Sequence, residues 1–242
     1  MTTQGLAPEK LYLLQLSRTT VPVPSGKLEM VLGCYLVVTG DGKHILIDTG
    51  FPPDVPGKPP GENDSDVIKQ LADLRLSPDD IEIVIATHFD IDHVGYHDRF
   101  AKAEFIVQRE HYTLARSGHR RFAAGRAHWD HPALRYRQVD GDTELLPGLT
   151  LVESSGHTPG HQSVLVRLPK TGPVLLAIDA VMLERLFTPE RKAWPLDDNE
   201  EHLRASTRKL MGLVETEHVA LVVFGHDGMQ WQLLKKSPAF YD

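Results

Sequence analysis

Two histidines and two aspartates, all of them potential metal ligands, lie close together in the segment His88-Phe89-Asp90-Ile91-Asp92-His93. Side chains at such short and unequal spacings cannot all point at one ion, but one loop could use them to hold two neighbouring ions. Imidazole and carboxylate groups are common ligands of zinc and related divalent ions. Two adjacent ions can lower the pKa of a water molecule and polarise a carbonyl group. The segment therefore indicates metal-assisted hydrolysis.

Further candidates for metal binding each follow an apolar segment later in the chain. In order, they are His157 and His161 after Leu149–Glu153, Asp179 after Val174–Ile178, and His226 after Val219–Phe224. One histidine or aspartate after a strand is more often a cap than a ligand. The repetition of the same arrangement favours a shared site.

The apolar segments that precede these candidates are short and rich in β-branched residues, which predicts strands. A strand over Ile81–Ala86 would direct the side chains of residues 88–93 from a rigid element. The spacing of apolar residues predicts helices over 66–74, 109–115 and 200–214. Strands interspersed with helices, without strict βαβ alternation, predict an α/β fold of two packed sheets covered by helices. Because no linker divides the chain, we expect one domain over residues 1–242.

The overall composition excludes several classes of protein. The formal net charge of −7 argues against a nucleic-acid-binding surface. The only cysteine, Cys34, excludes an intrachain disulfide framework and lies in an apolar run, which predicts a buried thiol. The first twenty residues lack the pattern of a secretory signal, and no apolar run is long enough to span a bilayer. We therefore expect a soluble cytoplasmic protein that acts on a small molecule and contacts neither nucleic acid nor membrane.

The remaining histidines are not candidate ligands. A surface or capping role is expected for those in polar or mixed surroundings, which are His44, His111, His119, His128, His131, His202 and His218. The pattern around His97 favours neither role. Residues 116–132 are rich in arginine and histidine and predict a solvated helical insertion, with an entrance lid or an oligomer contact as the alternative.

Four motifs occur in a fixed order along the chain. They are His88-x-Asp90-x-Asp92-His93, Gly156-His157-Thr158-Pro159-Gly160-His161, Asp179 and Gly225-His226. In this order they resemble the metallo-β-lactamase superfamily, and within it the branch that includes the N-acyl-homoserine lactonases. The segment Leu46-Ile47-Asp48-Thr49-Gly50 adds to the resemblance. It implies an αββα sandwich of two mixed sheets flanked by helices, with a dinuclear metal centre at one edge.

The resemblance also implies a role for each candidate. His88, Asp90 and His157 would bind a first metal, Asp92, His93 and His226 a second, and Asp179 would bridge both. The implied cofactor is two divalent ions per chain, zinc in the first place and manganese or iron as alternatives. Asp48 would support the metal loop without binding an ion, and His161 would lie nearby without coordinating. Such lactonases often form homodimers.

The chain departs from the family pattern at two places. Asp90 stands where the family usually has a histidine, so a third carboxylate would lower the charge of the centre and its Lewis acidity. The alternative is that Asp90 turns away and that only the second metal binds tightly. The lactonases also carry a tyrosine shortly after the bridging aspartate, where this chain has Val181, Met182 and Leu183. This second difference weakens the prediction of an acyl-homoserine lactone as substrate.

The function implied is hydrolytic opening of a lactone by a metal-bridging hydroxide, with Asp92 as the catalytic proton carrier. Proline-rich residues 51–61 and residues 116–132 are expected to form the walls of the pocket. Arginines of the second segment could receive a substrate carboxylate, which makes an aromatic or acidic lactone of the pyridoxolactone type an alternative. Other esters and thioesters stay open as substrates. A metal-binding scaffold with a degenerate site is the alternative outside catalysis.

Overall fold

Strands from the first half of the chain form one mixed sheet. The structure, a computed structural model, describes residues 3–23, 26–56, 61 and 64–242. The strands, in chain order and in their order across the sheet, are β1 (Pro8–Val23), β2 (Gly26–Thr39), β3 (His44–Ile47), β4 (Ile83–Ile85), β5 (Glu104–Gln108) and β6 (Arg135–Val139). Strands β1, β2 and β3 pair antiparallel, and β3 to β6 pair parallel. The parallel strands end at a common edge.

Strands from the second half form the other sheet. They are β7 (Thr143–Leu146), β8 (Leu149–Glu153), β9 (Gln162–Leu168), β10 (Gly172–Ile178) and β11 (Leu221–Phe224), in the order β11-β10-β9-β8-β7. All neighbours pair antiparallel except β10 and β11, which are parallel. The parallel pair brings the chain after Ile178 next to the chain after Phe224.

Helices cover the outer faces of the two sheets. Their bounds are α1 (Val67–Asp73), α2 (Arg109–Arg116), α3 (Arg126–Trp129), α4 (Glu200–Thr216) and α5 (Gly228–Leu233). Outside the first sheet, Leu36 packs with Val67 and Leu71 of α1. Outside the second, Leu175 packs with Leu210 of α4. No helix in the described ranges is long and apolar enough to cross a membrane.

The main core lies between the two sheets. Leu13, Tyr35 and Ile47 of the first sheet share a buried cluster with Leu151 and Leu176 of the second. Because neighbouring residues of a strand point to opposite faces, β2 places Tyr35 in this cluster and Leu36 in the outer one. The predicted α/β sandwich of two mixed sheets flanked by helices is therefore confirmed.

The prediction of a solvated helical insertion at residues 116–132 is confirmed only in part, because most of the segment is exposed but its aromatic side chains are buried. The segment contains the short helix α3 and a helical turn over Arg120–Phe122. Phe122 and Trp129 are fully buried, and the indole of Trp129 stacks on Phe89 with ring centroids 5.0 Å apart. Charged residues dominate the sequence of this segment, but its two aromatic side chains fix its position against the loop that carries the candidate ligands.

Candidate metal centre

The candidate ligands lie where strands of both sheets end. Residues 86–93 follow β4, and Asp48 follows the adjacent parallel strand β3. In the other sheet, His157 lies in the connection from β8 to β9, Asp179 directly follows β10, and His226 follows β11. The sandwich therefore delivers loops from both sheets to one place, which is why residues far apart in sequence can share a site.

The structure brings all the predicted metal ligands into three overlapping groups. Within each group the potential ligand atoms lie within 4.8 Å of one another. The groups are His88, Asp90 and His157; His88, His93 and Asp179; and Asp92, His93 and His226. The first and third are the two sets that the sequence predicted, and we call them the first set and the second set. Each set has the three donors that a catalytic metal site typically takes from protein.

Asp179 lies between the two sets. Its Oδ2 is 3.4 Å from Nε2 of His157 in the first set, and its Oδ1 is 3.0 Å from Nε2 of His226 in the second. The same Oδ1 is 3.6 Å from Nε2 of His93. This placement suits the bridging role that the sequence predicted for Asp179.

Several ligand atoms at the centre of the cluster are buried and have no hydrogen-bond partner among the residues that the structure describes. They are Nε2 of His88, Nε2 of His93 and Oδ1 of Asp179. A buried polar atom without a partner costs about 1–3 kcal/mol, so native proteins rarely leave one. These three atoms belong to a single group whose members face one another. A divalent cation would satisfy all of them at once, so the donor set fits a metal.

The electrostatics of the cluster keep two of its donors, His88 and Asp179, in forms that favour metal binding. Burial, with a contribution from His93, lowers the pKa of His88 to about 3, so this ring is neutral. Burial would raise the pKa of Asp179, but His226 and His93 outweigh it and hold the pKa well below its usual range. A neutral imidazole and an ionised carboxylate are the forms that coordinate metals.

Hydrogen bonds from outside the cluster orient its histidines. Nδ1 of His93 donates to Oδ2 of Asp48 at 2.8 Å, and Asp48 also accepts from the backbone N and the Oγ1 of Thr87, at 2.9 and 2.7 Å. Nδ1 of His226 donates to the carbonyl of Val31 at 2.8 Å. In each of these two histidines the donor is Nδ1, the ring nitrogen that faces away from the cluster. The other nitrogen, Nε2, is therefore directed into the cluster. These contacts suit the supporting role that the resemblance implied for Asp48.

Asp197 was not predicted as part of the site. Its Oδ1 accepts a hydrogen bond of 2.9 Å from Nδ1 of His157, and its side chain is completely buried. Arg191, also buried, lies 3.6 Å from the other carboxylate oxygen. Asp197 lies in the long connection before α4, not after a strand, so the pattern that identified the other residues does not include it.

Two histidines with an expected surface or capping role are buried, so that expectation is wrong for them. Nε2 of His111 accepts from the backbone N of Phe89, and its Nδ1 donates to the carbonyl of Pro159, both at 2.8 Å. His111 therefore ties the metal loop to the loop of His157. His128 lies between Asp98 and Asp54, at 2.7 and 2.9 Å.

The other two histidines near the cluster lie outside the three groups. His161 is buried, with Nδ1 2.9 Å from Oγ of Ser154, and Nε2 accepts from the backbone N of Asp179 at 3.3 Å. It lies near the site without joining a group, as predicted. His97 is buried against Phe105, and neither of its ring nitrogens has a hydrogen-bond partner among the described residues.

Arg121 forms an ion pair with Asp90 that the sequence did not reveal. Its Nε and Nη2 reach the two oxygens of the Asp90 carboxylate at 2.6 and 2.5 Å. The expectation that a third carboxylate lowers the charge of the site did not include this guanidinium, whose charge balances that of Asp90. Arg116 and Arg126 of the same segment both pair with Asp130. These three arginines already have carboxylate partners within the protein.

Binding of a metal by the first set should release a proton. His157 is buried, but hydrogen bonds to Asp197 and Asp90 outweigh burial and raise its pKa to about 9. Near neutral pH the metal-free ring carries a proton on Nε2, which an ion must displace. We expect the apparent affinity for Zn²⁺ to rise with pH up to about 9. Calorimetry in buffers of different ionisation enthalpy measures the released proton.

Whereas a higher pH should favour metal binding, the same raised pKa of His157 should make the metal-free protein less stable as the pH rises. The stabilisation that the charged His157 ring contributes is complete below its usual pKa of 6.5 and is lost as the pH rises through about 9. Asp197→Asn removes the carboxylate that holds the proton and should reduce the proton release. Metal binding without proton release at neutral pH would contradict the assignment.

Comparison with known proteins places this arrangement in a family. Residues 34–226 match the sequence model of the Metallo-beta-lactamase superfamily. The chain is 34% identical to the N-acyl homoserine lactonase AttM of Rhizobium radiobacter and 33% identical to that of Azorhizobium caulinodans, with 96% of this chain and 98% of each relative covered. Its fold matches a solved N-acyl homoserine lactone hydrolase with the product N-hexanoyl-L-homoserine bound at the catalytic metal centre. That match has a TM-score of 0.85 and 28% identity, over 98% of this chain and 100% of the other. This chain therefore belongs to the metallo-β-lactamase superfamily and to its N-acyl homoserine lactonase branch.

Proposed function

We propose that this protein is a metal-dependent hydrolase that opens the ring of N-acyl homoserine lactones. The observation that carries the proposal is the cluster of three overlapping ligand groups, in which the inward-facing atoms of His88, His93 and Asp179 have no hydrogen-bond partner in the described ranges. The relatives that match nearly the whole chain are lactonases of this kind. The likeness over the full length supports the same reaction for this chain.

We assign metal binding to the residues that the sequence predicted. The first set would hold one divalent ion, the second set another, and Asp179 would contact both. When bound, the ions would supply a water molecule of lowered pKa and an electrophile for the lactone carbonyl. Zinc is the metal that the four histidines favour, and the carboxylates keep manganese and iron as alternatives.

Asp92 is our candidate for moving a proton. Its side chain is 25% exposed, whereas those of His93, His226 and Asp179 are 5–6% exposed. Of these four side chains, Asp92 is therefore the one that a substrate could reach. One of its oxygens lies 3.7 Å from Nε2 of both histidines. In ring opening, water adds to the carbonyl carbon, the ring C–O bond breaks, and the departing alkoxide takes up a proton. Asp92 would carry that proton from the water to the alkoxide.

An acidic aromatic lactone is less well supported as the substrate. The argument for it was that arginines of residues 116–132 could receive a substrate carboxylate. Arg121 is paired with Asp90, and Arg116 and Arg126 are paired with Asp130, so three of the four arginines of this segment would have to break an ion pair to bind such a substrate. The fourth, Arg120, is exposed and lies outside the ligand groups. The acyl-homoserine lactones, which are neutral, need no free guanidinium.

The decisive experiment measures hydrolysis by acid release with metal-free protein before and after Zn²⁺ is restored. The substrates are N-hexanoyl homoserine lactone, a carboxylated aromatic lactone, a phenyl ester and a thioester. We expect metal-dependent turnover that is fastest with the homoserine lactone. Preference for the carboxylated lactone would replace the proposed substrate class. Metal binding without turnover of any substrate would favour a degenerate, metal-binding scaffold.

Three further proposals concern the domain organisation, the oligomeric state and the location of the protein. We propose that residues 1–242 form one domain, that the protein forms a homodimer, and that it acts in the cytoplasm. A single cooperative unfolding transition, a molecular mass from light scattering, and fractionation of the producing cells test these in turn. Two separate transitions, a monomer mass, or recovery outside the cytoplasm would each refute the corresponding proposal.

A further inference from the structure

We infer that the guanidinium of Arg121 is a built-in cation at the first set, so that the two metal positions differ in affinity. The inference rests on the proposed dinuclear centre and adds a residue to it. An ion should enter the second set readily and the first set only against competition from Arg121. The centre would then fill in two separate steps.

The competition follows from the atoms that Arg121 contacts. Its Nη2 lies 2.5 Å from Oδ2 of Asp90 and 3.0 Å from Nε2 of His157. The same Oδ2 is 3.5 Å from Nε2 of His88. An ion bound by the first set needs these same carboxylate and imidazole atoms. These two ligand atoms also lie 3.0 Å from each other, so Nη2 of Arg121 lies against both of the atoms that an ion would have to bind.

Arg121 is held in this position by contacts that do not involve the ligand atoms. Its Nη1 donates to the carbonyl oxygens of His157 and Leu196, at 3.1 and 2.7 Å. The next residue, Phe122, is fully buried, which anchors the helical turn over Arg120–Phe122 that carries Arg121. Hydrogen bonds thus hold the guanidinium, and the buried Phe122 holds its backbone. Displacement of the guanidinium by an ion would therefore cost free energy.

The second set has no comparable cation within the described part of the chain. Among the described residues, the ion pairs of Asp92 and Asp179 are with histidine rings alone. An ion that enters there competes with protons but not with a permanent charge. The two positions therefore differ by one fixed positive charge that belongs to the first set.

The pair of Asp90 and Arg121 also accounts for the departure from the family pattern. A carboxylate and a guanidinium together carry no net charge, like the neutral histidine that the family usually has at this position. Arg121 thus restores the charge balance that Asp90 alone would upset. The cost of this arrangement is weaker binding of the ion at the first set.

Removal of the guanidinium should tighten metal binding for two reasons that act in the same direction. It releases Oδ2 of Asp90 and the ring of His157, and it removes a positive charge within a few ångströms of a divalent ion. We expect Arg121→Gln to lower the weaker of the two dissociation constants by at least about tenfold. The stronger constant should change much less.

The test is a titration of metal-free protein with Co²⁺ and Zn²⁺ against a chromophoric chelator, with the stoichiometry checked by elemental analysis. Arg120→Gln is the matched control, because it removes the same charge from an exposed neighbour on the same turn. We expect two unequal constants for the wild-type protein and Arg120→Gln, and two nearly equal ones for Arg121→Gln. Arg121→Lys keeps the charge but cannot bind both oxygens of Asp90, so its weaker dissociation constant should lie between those of the wild-type protein and Arg121→Gln. This variant provides the test if Arg121→Gln does not fold.

Two outcomes overturn the inference. One is a pair of equal constants in the wild-type protein, and the other is a weaker constant that neither Arg121 variant changes. Failure of the wild-type protein to bind any ion would instead refute the proposed function itself. A wild-type protein that holds one ion where Arg121→Gln holds two would be the strongest support.

Discussion

Replacement of Asp179 by asparagine is expected to lower the rate of lactone hydrolysis by at least about a thousandfold. Of the carboxylates in the described ranges, Asp179 is the one whose oxygens face histidines of both sets, at 3.4 Å from His157 and 3.0 Å from His226. Asparagine keeps the size of the side chain but removes the negative charge that both ions would share. Steady-state hydrolysis and metal content per chain are the measurements.

The control for this variant is Asp140→Asn. Asp140 is a surface carboxylate, 70% exposed, that pairs with Arg109 at 3.1 Å and lies outside the ligand groups. It should retain wild-type activity and metal content. If Asp179→Asn folds, binds two ions and hydrolyses the lactone at the wild-type rate, Asp179 does not have the bridging role that we assign to it.

The residues that could be predicted from the sequence are those that follow strands. His88, Asp92, His93 and Asp179 lie directly after, or a few residues after, short apolar segments, and both the strands and the candidates are visible in the local sequence. Their convergence required only that the strand ends meet at one edge. The fold class followed from the same segments, because their order indicated two sheets and not a regular βαβ repeat.

The residues that could not be predicted are defined by partners far along the chain. Arg121 reaches Asp90 across 31 residues, and Asp197 reaches His157 across 40. Neither follows a strand, and an arginine among other arginines gives no local signal of its role. For His111, the polar surroundings suggested exposure, whereas its two hydrogen bonds tie together loops that only the folded structure makes neighbours.

The segment at residues 116–132 shows why charge alone is a poor guide to burial. Phe122 and Trp129 make up little of the segment, but each is fully buried, and Trp129 also donates through Nε1 to the carbonyl of Phe122 at 2.9 Å. A buried aromatic side chain contributes more to the position of a segment than an exposed ion pair does. Greater weight on the aromatic residues would have predicted a packed element, and with it a fixed position for Arg121.

Asp48→Ala is expected to destabilise the protein by about 3–5 kcal/mol, because it removes one partner of a buried ion pair. The Asp48 carboxylate accepts hydrogen bonds from His93 and from two atoms of Thr87, and all of these groups are buried. Its backbone also has a φ of 59°, which alanine tolerates less well than aspartate or asparagine. Urea unfolding of the metal-free protein measures the loss.

The variant Asp48→Asn separates the causes of that loss. Asparagine tolerates the same backbone conformation and can still accept the hydrogen bond from the backbone N of Thr87, but its amide NH₂ cannot accept from His93. Because the ring of His93 would lose its orienting partner, both variants should bind metal about 10–100-fold more weakly. If Asp48→Asn keeps most of the stability but loses metal affinity, the carboxylate serves mainly to aim His93. Equal loss of stability in both variants would instead show that the charge of Asp48 holds the metal loop in place.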